Sequence, residues 1–219
     1  MSAPRVYIAA KPPVPGLVKT RLARVIGEES ATALYSAFLV DIAATVRDLK
    51  IPAGWFIPPQ PAWQPPDLGP RQLATRWQRG STWGERQTNL FAECMLDSPG
   101  PVLLVASDSP QLTGTEVGAA LRALEEHDVV VGPVLDGGYY LVGMRKAHDF
   151  LGRIEMTTER VTAEVLAGAR TLGLSAFVLP VLFDVDMVAD LDLLAAAVVT
   201  HRNLKATAAA LAGIAVPVV

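Results

Sequence analysis

Cysteine, histidine and aromatic residues are scarce in this sequence. Its 219 residues include 1 Cys and 3 His, and only 6% are aromatic. A single cysteine, Cys94, can build neither a disulfide framework nor a cysteine-based zinc site within the chain. The three histidines are scattered, without the spacing of metal ligands. We therefore expect a protein of a reducing, cytoplasmic compartment.

Positive charge and long apolar runs are also limited. Lys+Arg 19 against Asp+Glu 22 gives a net charge of −3, whereas proteins that coat duplexes carry a basic surplus. We expect no nucleic-acid partner. The most apolar late stretch, residues 188–200, contains Asp190 and Asp192 and is shorter than the ~18 residues of a membrane helix. We therefore expect no membrane span, and no targeting segment is visible in the proline-rich N-terminus.

The chain is instead rich in alternating strand and helix patterns. Hydrophobic residues make up 51% and charged residues 19%, as in globular domains. The predicted strands are 5–10, 55–57, 73–77, 101–106, 128–131, 139–142 and 176–182. The predicted helices are 20–49 with a break at residues 27–30, 83–96, 115–126, 161–169 and 188–212 with a break near Asn203. This alternation predicts one α/β domain, residues 1–219, with a mostly parallel sheet. Segment 128–144 has no helix between its strands, which indicates some antiparallel pairing.

A basic loop follows the first predicted strand, where α/β folds bind ligands. It contains Lys11, Gly16, Lys19 and Arg21. Three cations at a helix start suit a polyanion such as a diphosphate, and Gly16 allows a close backbone approach. The spacing excludes a Walker loop. A solvated basic loop is the alternative.

Carboxylates follow two later strands. Asp108 comes directly after the apolar run 101–106, while Asp184 and Asp186 are two apart in an extended stretch, so their side chains share one face. Mg²⁺ in proteins is bound by one or two carboxylates together with phosphate oxygens, and we expect Asp108 and Asp186 to converge at one sheet edge. A turn at Asp108 and a helix N-cap at Asp186 are the alternatives.

Two further segments contain polar candidates. Asp136 opens an Asp-Gly-Gly-Tyr turn that is typical of a hairpin. Arg86, in QRGSTWGER, is a candidate anion contact, and Trp83 beside it would either cover a base or pack in the core.

Five segments of the chain resemble one known family. They are AAKPPVPGLVKTRLA, QRGSTWGER, LLVASDSPQL, HDVVVGPVLDGGYYLVGM and LPVLFDVDMVADL, and together they extend from about Val6 to Leu191. They are similar to bacterial nucleotide-diphospho-sugar-transferase-like proteins, the glycosyltransferases associated with radical enzymes, selenodomain proteins or arsenosugars. The resemblance implies a GT-A-like three-layer α/β/α sandwich.

The resemblance also implies roles for the candidate residues. Lys11, Gly16, Lys19, Arg21 and Arg86 would bind nucleotide phosphates. Mg²⁺ or Mn²⁺ would be bound by Asp108, Asp184 and Asp186. Asp108 and Asp136 would be catalytic. Gly137, Gly138 and Tyr139 would border the transferred group or the acceptor.

The chain departs from the family pattern at three positions. Ser107 replaces a cysteine, Met156 replaces a tryptophan and Met187 replaces a threonine. The carboxylates expected to bind the metal ion match the family pattern. The exchange at Met156 falls in the expected acceptor pocket. The same motifs resemble, more distantly, the 2-phospholactate guanylyltransferases, which release pyrophosphate from an NTP.

These observations favour a metal-dependent transferase with a nucleotide-activated donor. We expect glycosyl transfer from a nucleoside diphosphate sugar to a small-molecule acceptor. Nucleotidyl transfer at the same site is the alternative, and a non-catalytic nucleotide-binding protein is the third hypothesis.

Overall fold

The computed structural model describes residues 3–60 and 62–214. The strands are β1 (Arg5–Ala9), β2 (Ala53–Ile57), β3 (Arg76–Trp77), β4 (Val102–Ala106), β5 (Val129–Pro133), β6 (Tyr139–Met144) and β7 (Ala176–Val178). The helices are α1 (Thr20–Ile26), α2 (Glu28–Asp48), α3 (Trp83–Asp97), α4 (Gly114–Glu126), α5 (Val161–Thr171), α6 (Asp190–Thr200) and α7 (Lys205–Ala212), with a 3₁₀ turn at Leu151–Arg153. None of the helices described is long and apolar enough to cross a membrane.

The seven strands form one mixed sheet in the order β3-β2-β1-β4-β6-β5-β7. The pairs β1–β2, β2–β3, β1–β4 and β5–β7 are parallel, whereas β6 is antiparallel to both β4 and β5. The expected fold class, an α/β sandwich with a mostly parallel sheet and some antiparallel pairing, is confirmed. The antiparallel strand arises because only the short turn at residues 134–138 separates β5 from β6, too short for a crossover helix.

Apolar side chains project from both faces of the sheet, because successive side chains of a strand point to opposite faces. In β4, Leu103 and Val105 pack in the cluster that includes α2, α4 and α6, whereas Val102 and Leu104 pack in the cluster that includes α3 and α5. Cys94 is buried in this second cluster. Helices therefore cover both faces of the sheet, and we look for ligand sites at the ends of the strands.

Several predicted boundaries were wrong, each for a local reason. The first helical segment breaks at Gly27 alone, and residues 28–30 begin α2. Strand β3 has two residues instead of five. Strand β7 ends at Val178 instead of Leu182, because the chain leaves the ladder before Pro180, which has no N–H to donate. The break near Asn203 separates α6 from α7, as predicted.

Helix ends are fixed by side chains. Thr82 and Glu85 form a capping box at the start of α3, and Thr113 and Glu116 form one at the start of α4, which satisfies backbone N–H groups that lack partners in the first turn. Asp41, buried in α2, accepts hydrogen bonds from the N–H groups of Ala206 and Thr207 at 3.0 and 2.8 Å. This contact joins the C-terminal helix to the body of the protein.

Candidate active site

A cleft of about 820 Å³ opens at the carboxyl ends of the strands. Its centre is the point between β1 and β4 where the strand order reverses: the chain moves outward from β1 to β2 and β3, then returns to β4 on the other side of β1. Open α/β sheets bind ligands at such switch points. The loops after β1 and β4, which contain the basic cluster and Asp108, both line this cleft.

Hydrogen bonds position the loops around the cleft. The Tyr35 hydroxyl accepts a bond from the Lys11 N–H and shares one with the Ser107 hydroxyl, both at 3.0 Å, so α2 ties the loop after β1 to the loop after β4. The Val185 N–H donates to the Asp108 carbonyl at 3.0 Å. This backbone bond brings the predicted acidic pair next to Asp108.

Lys19 is the residue around which the carboxylates gather. Its ammonium lies 2.9 Å from Asp186 Oδ1 and also contacts Asp108 Oδ1. The Lys19 side chain is 4% exposed, whereas those of Asp108 and Asp186 are 45% and 40% exposed. The expected convergence of Asp108 and Asp186 is therefore observed, with an ammonium group between them.

The surroundings of Lys19 keep it charged. Burial by itself lowers the pKa of an ammonium group, but the carboxylates of Asp108 and Asp186 outweigh it and raise the pKa of Lys19 above its usual value. The ammonium also lies 5.8 Å from the centroid of the Tyr35 ring and 5.9 Å from that of Phe38, within cation–π range. Lys19 has a left-handed backbone at φ 47°, which is unusual for a residue with a Cβ and concentrates at functional sites.

Two more carboxylates line the cleft near this cluster. Burial, together with the charges of Asp136 and Asp186, raises the pKa of Asp184 to about 6. The Asp136 side chain accepts a bond from the Gly138 N–H at 2.8 Å, the turn geometry expected from its sequence. The N-cap alternative for Asp186 was wrong: α6 starts after Ala189, and the Asp190 carboxylate accepts from the N–H groups of Asp186 and Met187.

Three cations face the cleft without the carboxylate partners that Lys19 has. Lys11 and Arg21 are exposed on the cleft lining, and neither forms an ion pair with any residue that the structure describes. Arg86 donates from Nε to the Gly80 carbonyl at 3.0 Å and lies 3.5 Å from Gln78 Oε1. These side chains are therefore available to an anionic ligand.

The candidate glycines differ in their positions. Gly138 lines the cleft, whereas Gly16 and Gly137 lie outside its lining. Gly16 has φ 77° and approaches the Glu28 carboxylate; Gly137 has φ 91°, and a Cβ there would lie 1.8 Å from the Glu159 carbonyl oxygen. Both are required by local backbone geometry.

The far end of the cleft is apolar. Tyr139, Met156 and Val161 line it, and the Tyr139 hydroxyl donates to Gln87 Oε1 at 2.8 Å and lies 3.6 Å from Met156 Sδ. The sequence also left unassigned several lining residues. They are Tyr35, Gln78, Ser107, Ser109, Thr157, Thr158 and Glu159. Some of them are neighbours in sequence of the Ser-Asp-Ser and Met-Thr-Thr segments, and this was the one signal in the sequence that could have indicated them.

The carboxylates fit a magnesium-type ion in chemistry and number. Asp108 and Asp186 direct oxygen ligands toward one shared point, as their common contact with Lys19 shows, and two carboxylates with phosphate oxygens are a usual set for Mg²⁺. Within residues 3–60 and 62–214, no group of three or more His, Cys, Asp or Glu side chains is arranged to hold a metal. A cation here would therefore need ligands from the substrate.

One protein-family model matches the central part of the chain. Residues 52–158 match the model of a bacterial family described as "Uncharacterized protein conserved in bacteria (DUF2064)". This segment runs from β2 to the loop before α5 and includes Asp108 and Asp136. No curated protein matches the chain.

Solved structures extend the likeness to nearly the whole chain. A proposed nucleotide-diphospho-sugar transferase from Desulfovibrio desulfuricans G20 is 28% identical, with a TM-score of 0.82 over 97% of this chain and 98% of that one. The expected likeness to bacterial nucleotide-diphospho-sugar-transferase-like proteins is confirmed by this structure together with the family model.

More distant structures share the fold alone. The 2-C-methyl-D-erythritol 4-phosphate cytidylyltransferase of Thermus thermophilus is 20% identical, with a TM-score of 0.52 over 89% of this chain and 98% of that one. A CMP:2-keto-3-deoxy-manno-octonic acid synthetase complexed with CTP is 12% identical, with a TM-score of 0.51 over 90% and 99%. These two likenesses show that the chain shares the fold of both enzymes.

Proposed function

We propose that this relative of the nucleotide-diphospho-sugar-transferase-like proteins transfers a glycosyl group from a nucleoside diphosphate sugar to a small acceptor, with Mg²⁺ or Mn²⁺. The observation that carries the proposal is the pairing of Lys19 with Asp108 and Asp186 at the switch point of the sheet. It concentrates opposite charges where a diphosphate and its cation would meet.

The cations of the cleft would bind the donor's phosphates. Lys11 and Arg21 are exposed beside Lys19 on the loop and helix that follow β1, and Arg86 faces the same cleft from α3. Charge-assisted hydrogen bonds from ammonium and guanidinium groups to phosphate are among the strongest polar contacts in proteins. Lys19, already neutralised by two carboxylates, would contribute less to phosphate binding than Arg21.

Asp108 and Asp186 would bind the divalent cation, with Asp184 adjacent. The ion would neutralise charge on the departing diphosphate and orient it, as Lewis-acid catalysis requires. Asp136 lines the cleft next to the turn that holds Gly138 and Tyr139. In this proposal Asp136 accepts the proton of the attacking acceptor group, because its carboxylate faces the cleft beside the expected position of the transferred sugar.

Nucleotidyl transfer is the second candidate, since cytidylyltransferases share the fold. The two reactions break different bonds. A glycosyltransferase cleaves the sugar–phosphate bond and releases a nucleoside diphosphate, whereas a nucleotidyltransferase attacks the α-phosphorus of an NTP and releases pyrophosphate. The product therefore discriminates between them.

The experiment incubates the purified protein with nucleoside diphosphate sugars or with NTPs, each with Mg²⁺ or Mn²⁺, and measures both products. We expect release of nucleoside diphosphate from a nucleotide sugar, slowly even with water as acceptor. Pyrophosphate from an NTP with no sugar nucleotide consumed would favour nucleotidyl transfer. Nucleotide binding with neither product would indicate the non-catalytic protein.

Asp108→Asn tests the metal role in the same assay. Loss of a carboxylate ligand should lower the rate by roughly 100-fold or more, because charge stabilisation of the leaving group is usually a large catalytic term. Asp149→Asn is the matched control, since Asp149 is exposed and lies outside the cleft lining. Equal rates for both variants would exclude Asp108 from the reaction.

A further inference from the structure

The strand order arranges the cleft as a line of subsites. Gln78 and Arg86 lie at the end near β2 and β3, Lys11 and Arg21 follow β1, Asp108 follows β4, and Tyr139 starts β6. A nucleotide donor extends from base to phosphates to transferred group. With the phosphates at β1 and the leaving-group cation at β4, the transferred group and then the acceptor fall toward β6 and α5.

This β6 end of the cleft is built on an apolar wall. Tyr139, Met156 and Val161 line it and belong to or pack against the hydrophobic cluster that contains α3 and α5. The Tyr139 hydroxyl is directed to Gln87, whose side chain is fully buried. The wall therefore offers the ring and the thioether to a ligand, while the phenol group is already bonded inside the protein.

The charges at this end have one sign. Asp136 and Glu159 line the cleft here, while its basic lining residues come from positions 11–21 and 86 among the residues that the structure describes. Thr157 and Thr158 add uncharged hydroxyl groups to the same wall. An anionic group placed here would face the carboxylates of Asp136 and Glu159.

The backbone holds these residues firmly. The Thr162 N–H donates to the Gly137 carbonyl at 2.9 Å and its hydroxyl donates to the Gly138 carbonyl at 2.6 Å. The turn with Asp136 is thus attached to the first turn of α5, directly after the segment that contains Met156 and Glu159. Hydrogen bonds therefore join the turn that contains Asp136 to α5, so that the apolar wall and the acidic rim are pre-formed, as is usual for ligand pockets.

We propose that the Tyr139–Met156–Val161 wall with its acidic rim selects an acceptor that is uncharged or cationic and has an apolar body, and that it rejects acceptors bearing phosphate or carboxylate. This inference rests on the proposed function, which identifies the ligand of this wall as the acceptor. It deepens that function by naming the class of acceptor. The apolar wall provides the attraction, and the like charges provide the discrimination.

The test uses isosteric probes and a site-specific signal. Protein labelled with [methyl-¹³C]methionine gives a resonance for Met156, assigned with Met156→Leu. It is titrated with benzyl alcohol, benzylamine, benzoate and benzyl phosphate. We expect the Met156 signal to shift with the alcohol and the amine, with affinities at least about tenfold higher than for the two anions. The Met95 signal is the internal control, because Met95 lies near the C-terminal end of α3 and outside the cleft lining.

Charge-neutralising variants test whether the carboxylates cause the discrimination against anions. Glu159→Gln, alone and combined with Asp136→Asn, should reduce the discrimination against benzoate and benzyl phosphate. Glu125→Gln, an exposed carboxylate on α4 outside the cleft lining, should leave it unchanged. Glu159 is exposed and makes no hydrogen bond through its side chain to the residues described, so its exchange should not affect folding.

Two results would overturn the inference: anions that bind as tightly as the alcohol, or a Met156 signal that none of the four probes shifts. The titration contains no nucleotide. Failure here therefore leaves the nucleotide-dependent reaction standing, and absence of nucleoside diphosphate release in the earlier assay leaves this titration interpretable.

Discussion

Lys19 and Asp186 are 167 residues apart in the chain, yet the ammonium nitrogen of one lies 2.9 Å from a carboxylate oxygen of the other. Asp108 contacts the same ammonium group. The three residues occupy the position where the loop after β1, the loop after β4 and the segment after β7 meet. One buried cation thus balances two carboxylates that face the cleft.

This arrangement makes Lys19 a competitor for any divalent cation at Asp108 and Asp186. Lys19→Met should raise the affinity of the nucleotide-free protein for Mn²⁺ by roughly tenfold, or ~1.4 kcal/mol, because the carboxylates lose their internal counter-charge. Isothermal titration with MnCl₂ measures it. Adding Asp108→Asn to the variant should abolish the gain, and an unchanged affinity in Lys19→Met would show that the ammonium does not compete.

Arg21 is predicted to contribute binding energy without contributing stability. Its side chain is exposed on the cleft lining, so Arg21→Ala should weaken nucleotide binding by about ten- to hundred-fold, the loss of one charge-assisted contact at roughly 1.5–3 kcal/mol. The melting temperature should not change. Arg24→Ala, on the same helix but outside the cleft lining, is the control. Equal nucleotide affinities for the two variants would assign Arg21 to a solvated surface.

Asp41 is predicted to stabilise the C-terminal helix. Its side chain accepts bonds from two N–H groups at the start of α7 and the residue is 3% exposed. Asp41→Ala should lower the free energy of unfolding by about 2 kcal/mol, because buried donors lose their acceptor. Urea denaturation measures it. Asp48→Ala should have little effect, because Asp48 ends the same helix with a side chain that is 79% exposed; similar losses for both variants would contradict the capping role.

Asp128 is predicted to make stability acid-dependent. Hydrogen bonds from the Ser175 hydroxyl and N–H, with the Arg145 guanidinium, lower the pKa of Asp128 to about 2. Because the folded-state pKa is below the unfolded one, the stabilisation is present above about pH 4 and is lost as pH falls toward 2. After screening by solvent it amounts to about 1 kcal/mol.

Urea unfolding of the wild type and Asp128→Asn at several pH values checks this expectation. The difference in free energy of unfolding between them should be constant above pH 4 and should shrink as the solution is acidified. Asp149→Asn provides an exposed aspartate for comparison. A difference that stays constant down to pH 2 would show that the Asp128 contacts do not bind the charged form preferentially.

The fold class and the positions of the candidate site residues along the chain follow from local sequence pattern. Apolar runs such as residues 102–106 can only be buried strands in an α/β pattern, and ligand-binding residues in such folds follow strands. Lys11, Asp108 and Asp136 could therefore be identified without coordinates. The break at Gly27 and the turn at Asp136 also follow from local chemistry.

Only the tertiary structure decides which of these residues lie in contact. The order of strands places Asp108 beside β1 and puts β6 between β4 and β5, and pairing between distant strands leaves no trace in local periodicity. The fold places the ammonium group of Lys19, an expected phosphate ligand, in contact with Asp108 and Asp186, two expected metal ligands. The physical reason is that an ion pair depends on distance in space, which strand order sets and sequence spacing does not.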